Sequence, residues 1–244
     1  MNISSAVFDC SAPDLDSCPD ESLPEFAFIG RSNAGKSSLL NMLCGRQDLA
    51  RVSPTPGFTK LINIFTMDKT WRLVDLPGYG FAQVAREHSA KFNKSVSNYL
   101  EHRKNLSCVF ALIDSGLTPQ KIDIEFIHWL AGRSIPFVLV FTKTDTVTPE
   151  EVQANIAAFT ESISSWFEQL PEMFHCSATA RRGRGELLHM IDKSIIAGRN
   201  ETRTEPEPPP APADVPPPED PHAQGWIVRA GGSRVKGPKR ARPW

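Results

Sequence analysis

The sequence lacks an excess of charge of either sign: 27 lysines and arginines stand against 28 aspartates and glutamates, a formal net charge of −1. That balance excludes a whole-molecule basic field of the kind that drives nonspecific nucleic-acid binding, and leaves such a role to local patches. No run of about 18 apolar residues occurs, and no basic N-terminal segment leads into a long apolar one, so neither a membrane span nor a secretory leader is read from it. The five cysteines (Cys10, Cys18, Cys44, Cys108, Cys176) are odd in number and form no C-x-x-C pair. Scattered thiols of this kind fit a reducing compartment, and Cys44 and Cys108, in apolar periodic segments, are expected in the core. A cytoplasmic protein without a membrane partner is the expectation. The 244 residues suffice for one α/β domain of roughly 170 to 200 residues and a tail.

What is present is a phosphate-binding pattern. Gly30-Arg31-Ser32-Asn33-Ala34-Gly35-Lys36-Ser37 fits G-x-x-x-x-G-K-[ST]. It lies between an apolar run, Phe26 to Ile29, that reads as a buried strand, and Leu39, Leu40, Met42 and Leu43, which recur at helical spacing. The order strand, loop, helix is the one a phosphate needs. Glycines let successive backbone N–H groups point inward, and the new helix offers unpaired N–H groups and its positive dipole end. Lys36 is placed to reach β- and γ-phosphates and Ser37 to offer its hydroxyl to Mg²⁺. The alternative, a glycine-rich turn that happens to hold Lys-Ser, is weakened by those flanks.

Further along, Leu61 to Met67 and Trp71 to Val74 read as a hairpin with its turn at Asp68 and Lys69. Polar Val84 to His102 is helical. Leu106 to Ile113 and Phe137 to Phe141 are continuous apolar strands, with a helix over Gln120 to Ala131 between them. Thr148 and Pro149, followed by Glu150 and Glu151, open another helix, Met173 to Cys176 is a short strand, and Gly185 to Ile196 a last helix. The alternation predicts an α/β, three-layer P-loop fold: a mainly parallel sheet of about six strands with one antiparallel edge hairpin. We expect an N-terminal extension (1–23) packed on a nucleotide-binding domain (24–198). A Pro-rich disordered tail (199–244) follows, because its prolines and acids bring too little apolar surface to offset ordering entropy. The tail ends in a basic stretch with Trp226, Arg229, Arg234, Lys236, Lys239, Arg240, Arg242 and Trp244. It reads either as an RNA-binding arm or as a solvated terminus.

A phosphate loop does not choose its base; downstream residues do. Asp75-Leu76-Pro77-Gly78 ends the second hairpin strand, where a metal-organising carboxylate belongs and the Gly78 N–H can sense a γ-phosphate. Thr142-Lys143-Thr144-Asp145 follows a buried strand, and Ser177-Ala178 the next. At the carboxyl ends of parallel strands Asp145 can accept two hydrogen bonds from guanine N1–H and its 2-amino group, donors adenine lacks at those positions.

These segments in this order, Gly30 to Ser38, Thr55-Pro-Gly57-Phe58-Thr59, Asp75 to Gly80, Thr142 to Asp145 and Cys176-Ser177-Ala178, resemble the motifs of the bacterial EngB (YihA/YsxC) GTPases. These belong to the TrmE-Era-EngA-YihA-Septin-like superfamily, and the resemblance covers roughly residues 5 to 198. It implies a GTP- and GDP-binding protein with slow Mg²⁺-dependent hydrolysis, and a monomer is the expectation. It also implies a role in large ribosomal subunit assembly, with ribosomal RNA and proteins as partners, and a need for it in cell division and septation. A GTP-regulated binding module for a cell-division partner is the alternative. By the same resemblance Lys36 holds β/γ-phosphate oxygens, Ser37 and Thr59 ligate Mg²⁺, and Asp75 holds it through water. Thr59 ends the first switch, and Gly78 draws the second, Tyr79 to about His88, toward the γ-phosphate. Asp145 and the Ala178 N–H read guanine while Lys143 packs along the nucleotide. The family has Arg and Gln around the switch threonine where this chain has Phe58 and Lys60. Tyr79 occupies the place where Ras-like enzymes carry the glutamine that orients water, which predicts slow unaided turnover. Hydrolysis is assigned to Lys36, Thr59, Gly78 and Asn33. For Asn33 two readings stand: a K⁺ ligand that neutralises developing charge, or a residue kept for its turn conformation.

Overall fold

The chain, seen here as a computed structural model, is described over residues 1–46, 49, 61–80 and 86–201. Every described residue lies within the unit Met1–Thr204. The elements in order are β1 (Ala6–Ala12), β2 (Glu25–Gly30), α1 (Lys36–Cys44), β3 (Ile62–Met67), β4 (Trp71–Asp75), α2 (Arg86–His102), β5 (Leu106–Asp114), α3 (Lys121–Ala131), β6 (Phe137–Thr142), α4 (Pro149–Ser164), β7 (Met173–His175) and α5 (Arg184–Glu201).

The strands form one sheet in the order β1-β3-β4-β2-β5-β6-β7. β4, β2, β5, β6 and β7 pair in parallel, while β3 is antiparallel to both β4 and β1. Only β3 therefore runs against the rest of the described strands. The hairpin turns where expected: Asp68 and Lys69 both take positive φ, 48° and 57°, the paired left-handed residues of a primed hairpin turn. The seventh strand, β1, comes from the N-terminal extension and had no counterpart in the sequence pattern. Asp68 Oδ1 accepts from the Ser4 and Ser5 amides at 2.9 and 2.7 Å, fastening that strand to the turn.

β2 is the central strand and every residue of it is buried. Its side chains alternate between faces, as the pleat requires. Phe26 and Phe28 join Leu39, Leu40 and Leu43 of α1 and Leu187 and Ile191 of α5 in one core. Ala27 and Ile29 join Tyr99 and Leu100 of α2, Ile127 and Leu130 of α3, and Ile156 and Phe159 of α4 in the other. Helices thus cover both faces, and the loops at the carboxyl ends of β2, β4, β5, β6 and β7 gather along one edge, where ligands bind in open α/β sheets. α5 runs past Gly198 to Glu201.

Candidate nucleotide site

Two helix starts on that edge differ in chemistry. α4 is closed by its own residues: Thr148 Oγ1 accepts from the Glu151 amide at 3.3 Å, Glu151 Oε2 accepts from the Thr148 amide at 3.0 Å, and Pro149 sits in the first turn. α1 has neither device. Its N-cap is Gly35, no side chain caps it, and its first turn carries no acid. The uncapped N–H groups follow a loop in which Asn33 and Gly35 both take positive φ, 68° and 84°. That succession of left-handed and right-handed backbone is what turns N–H groups to one side as an anion cradle. A Cβ on Gly30 would stand 2.8 Å from the Leu112 carbonyl, and one on Gly78 2.9 Å from the Gly30 carbonyl. Glycine at each is thus dictated by the closeness of β5 and of the segment after β4.

The charged side chains converge on the same place. Lys36, 9 % exposed, hydrogen-bonds through Nζ to Asp75 Oδ1, and Asp75 Oδ2 faces Asn63 Nδ2 at 3.5 Å. The amine read as a phosphate ligand and the carboxylate read as a metal organiser are therefore neighbours, although 39 residues apart in the chain. Ser37 and Ser38, in the first turn of α1, are half-buried. Leu76 and Pro77 are buried behind Asp75, and the Leu76 amide donates to Phe28 O at 3.0 Å, which fixes the exit from β4. Gly57, Phe58 and Thr59 lie outside the described residues, as do residues 81–85 of the second switch.

The segments expected to read the base are also brought together. Thr142 Oγ1 donates to Ala34 O at 2.6 Å, tying β6 to the phosphate loop. Lys143, with φ 58°, donates from Nζ to Asp114 Oδ2 at 2.6 Å, and a Cβ on Gly35 would lie 3.8 Å from its Cγ and Cε. The Thr144 amide donates to Cys176 O at 3.2 Å, so the loops after β6 and β7 are joined. Asp145 is exposed, Cys176 and Ser177 are fully buried, and Ser177 Oγ accepts from the Ala180 amide at 2.9 Å, leaving Ala178 at the half-buried rim. Burial pushes the Cys176 thiol up to about 12. Its role is packing beneath the loop, where a Cβ on Gly183 would come within 2.5 Å of its sulfur.

Two carboxylates of this edge were not singled out from the sequence. Asp114 ends the apolar run of β5, and a charge directly after a buried strand was its only signal. Asp123 lies in the first turn of α3, where an acid reads as ordinary helix-dipole stabilisation. Tyr79 does not reach toward the phosphate loop's cradle: its hydroxyl donates to Asp123 Oδ1 at 2.9 Å, and its ring stacks on Phe126 at 4.5 Å.

As to a metal, no group of three or more His, Cys, Asp or Glu side chains among the described residues is set to hold one. Asp75 and the Ser37 hydroxyl are hard oxygen donors, and they fit Mg²⁺, which characteristically takes one or two carboxylates and completes its shell with phosphate oxygens and water.

Residues 25–143 match the family model described as a 50S ribosome-binding GTPase. A relative from Christiangramia forsetii named "Probable GTP-binding protein EngB" is 47% identical over 193 residues, 79% of this chain and 97% of the relative. One of the same name from Porphyromonas gingivalis is 45% identical over 192 residues, 79% of this chain and 96% of that one. Among solved structures, that of a probable GTP-binding protein engB aligns with a TM-score of 0.57 and 24% identity over 71% of this chain and 99% of its own. Era in complex with MgGDPNP and nucleotides of 16S ribosomal RNA aligns with a TM-score of 0.57 and 21% identity, over 70% and 56%. At these identities the two structures show a shared fold.

Proposed function

From the premise that this chain belongs to the EngB family of GTP-binding GTPases, we propose that it is a GTP-driven switch in assembly of the large ribosomal subunit. Its GTP form docks on an immature subunit, hydrolysis promotes release, and normal cell division and septation depend on the cycle. The observation that carries the reading is the match of residues 25–143 to the 50S ribosome-binding GTPase model, on a site whose phosphate and base segments meet at one sheet edge. The protein works in the cytoplasm as a monomer. No helix among the described residues is long and apolar enough to cross a membrane.

Within the site, Lys36 and the amides opening α1 bind the β- and γ-phosphates, Asp145 and the Ala178 amide select guanine, and Thr142 holds the loop between them. Ser37, Thr59 and, through water, Asp75 would hold Mg²⁺, which would supply positive charge to neutralise the phosphate oxygens. Thr59 and Gly78 deliver the two switches to the γ-phosphate, and loss of that phosphate releases both. Two readings stand for Asn33: a K⁺ ligand in hydrolysis, or a residue kept for its turn conformation. Its left-handed φ of 68° suits the second, and rates in matched NaCl and KCl separate the two.

The test is cosedimentation with large-subunit precursors. Association with a non-hydrolysable GTP analogue and its loss with GDP are expected. Failure to associate in either state removes the ribosomal role and favours the GTP-regulated cell-division module.

A further inference from the structure

We propose that Tyr79 is a positioning residue for GTP hydrolysis: acting through Asp123 of α3 and Arg31 of the phosphate loop, it holds Gly78 and the start of the second switch in register with the phosphates.

The two segments touch through backbone first. The Tyr79 amide donates to Gly30 O and the Ser32 amide to Tyr79 O, both at 3.3 Å. These are long, neutral bonds, at the weak end of the useful range. The side chains supply what they lack. Asp123, 2 % exposed, accepts from the Tyr79 hydroxyl on Oδ1 and faces Arg31 Nε with Oδ2, 3.3 Å away. One buried carboxylate is thus shared by one residue from each of the segments that must stay aligned. Arg31 Nε is itself buried and makes no hydrogen bond in the structure, so Asp123 is its counter-charge. Gly80, at φ 84°, leaves room for Arg31: a Cβ there would lie 3.2 Å from its Cγ.

The same geometry removes Tyr79 from direct chemistry. A phenol committed to Asp123, with its ring laid on Phe126 at 4.5 Å and 29°, does not present its oxygen to a water. Burial and the adjacent Asp123 hold the phenol well above its ordinary pKa, so it remains the donor to that carboxylate. Beyond Phe126 the contacts continue along α3. Phe126 stacks near Trp129 at 6.0 Å, the Arg133 guanidinium lies 4.4 Å above the Trp129 ring, and Arg133 pairs with Glu101 near the end of α2. α3 and the turn that follows it therefore contact the chain both where the second switch begins and where the helix after it ends.

In the reaction a water oxygen bonds to the γ-phosphorus as the bond from that phosphorus to the β–γ bridging oxygen breaks, giving GDP, inorganic phosphate and a proton. The Gly78 N–H is the donor next to Tyr79 in sequence, and a misplacement of about 1 Å in such a group can lower a rate about a hundredfold.

The test is hydrolysis by the full chain alone, so that it stands or falls independently of any ribosomal role. Tyr79→Phe is expected to lower kcat by about tenfold or more, with KM for GTP and Kd for GDP within about twofold, the signature of an interaction needed beyond ground-state binding. Asp123→Asn is expected to do the same, and the double variant to be no slower than the slower single variant, because Tyr79 acts through that carboxylate. Tyr79→Gln is expected to be as slow as Tyr79→Phe. A wild-type kcat in Tyr79→Phe, even with a lowered melting temperature, overturns the proposal, and so does a Tyr79→Gln variant faster than wild type. Should Tyr79→Phe not fold, Phe126→Leu, which removes the stacking partner alone, carries the same expected split between kcat and KM, and a wild-type kcat there overturns it equally.

Discussion

The two ends of the sheet are built from the same residue types and do opposite things. At the amino ends of the strands, Glu25 is completely buried and saturated. Oε2 accepts from Tyr99 at 2.6 Å and from Arg103 Nε at 2.9 Å, Oε1 accepts from Arg103 Nη2 at 2.6 Å, and Arg72 Nη1 lies 3.5 Å off. The arginines also donate to Pro19 O and Asp20 O, folding the N-terminal extension under β2. Both oxygens of Glu25 are engaged, and Arg72 Nε, which is buried and makes no hydrogen bond, faces Asp9 Oδ2 at 3.6 Å. At the carboxyl ends, Lys36 faces Asp75 and Lys143 faces Asp114 as single pairs, each lysine bonding one carboxylate oxygen and carried on a loop or helix start with left-handed backbone. A triphosphate offers many anionic oxygens and its metal offers positive charge, so both members of such pairs can exchange partners at little net cost. A closed charge network reads as architecture; single pairs on left-handed backbone at the carboxyl ends of the strands read as a binding site.

The comparison breaks most visibly through Glu25. Glu25→Ala leaves Arg103, Arg72 and Tyr99 buried without their acceptor and is expected to cost about 3–5 kcal/mol of stability in urea unfolding. GTP affinity of the folded fraction should stay within about twofold. A large loss of affinity would mean that the two ends are coupled through β2.

Asp145→Asn is the converse. Asp145 is exposed, so its unfolding free energy should change by less than about 0.5 kcal/mol. GTP affinity, measured by titration, should fall roughly a hundredfold, about 2.7 kcal/mol, while xanthosine triphosphate becomes a ligand. Unchanged GTP affinity would remove Asp145 from base recognition.

How much of this could be read in advance follows from chain distance. The phosphate loop was legible because its strand, glycines, Lys36 and helix are contiguous, and β2, β5 and β6 because strands buried on both faces are unbroken apolar runs. β1 was not, since an edge strand with one neighbour inverts the usual pattern: Val7 and Phe8 are 56% and 53% exposed, while small Ala6 and Ala12 are the buried residues. The shared carboxylates were not legible either. Asp123 joins Tyr79 across 44 residues and Glu25 joins Arg103 across 78, and an acid beginning a helix or a strand carries no mark of such a partner. For the same reason Tyr79 was read by its place in a motif, as a poor substitute for glutamine, when its contacts lie with α3.

The smallest effect makes the sharpest contrast, because the chain has two tyrosines and each donates to a buried carboxylate that also faces an arginine. Tyr99→Phe removes a hydrogen bond to a charged acceptor, yet Glu25 keeps both contacts from Arg103. The cost is therefore expected near 1–2 kcal/mol of stability, read as a lower urea midpoint at unchanged m. Since the amino end holds no group that meets nucleotide, kcat and KM for GTP should both match wild type. The identical deletion of one oxygen in Tyr79→Phe is expected to move kcat. If Tyr99→Phe slowed hydrolysis as much, the effect at Tyr79 would report loosening of the α2 side of the molecule in general. If it does not, the difference between the two variants measures what the position of a tyrosine, at the start of the second switch against the far end of the helix that follows it, adds to the same local chemistry.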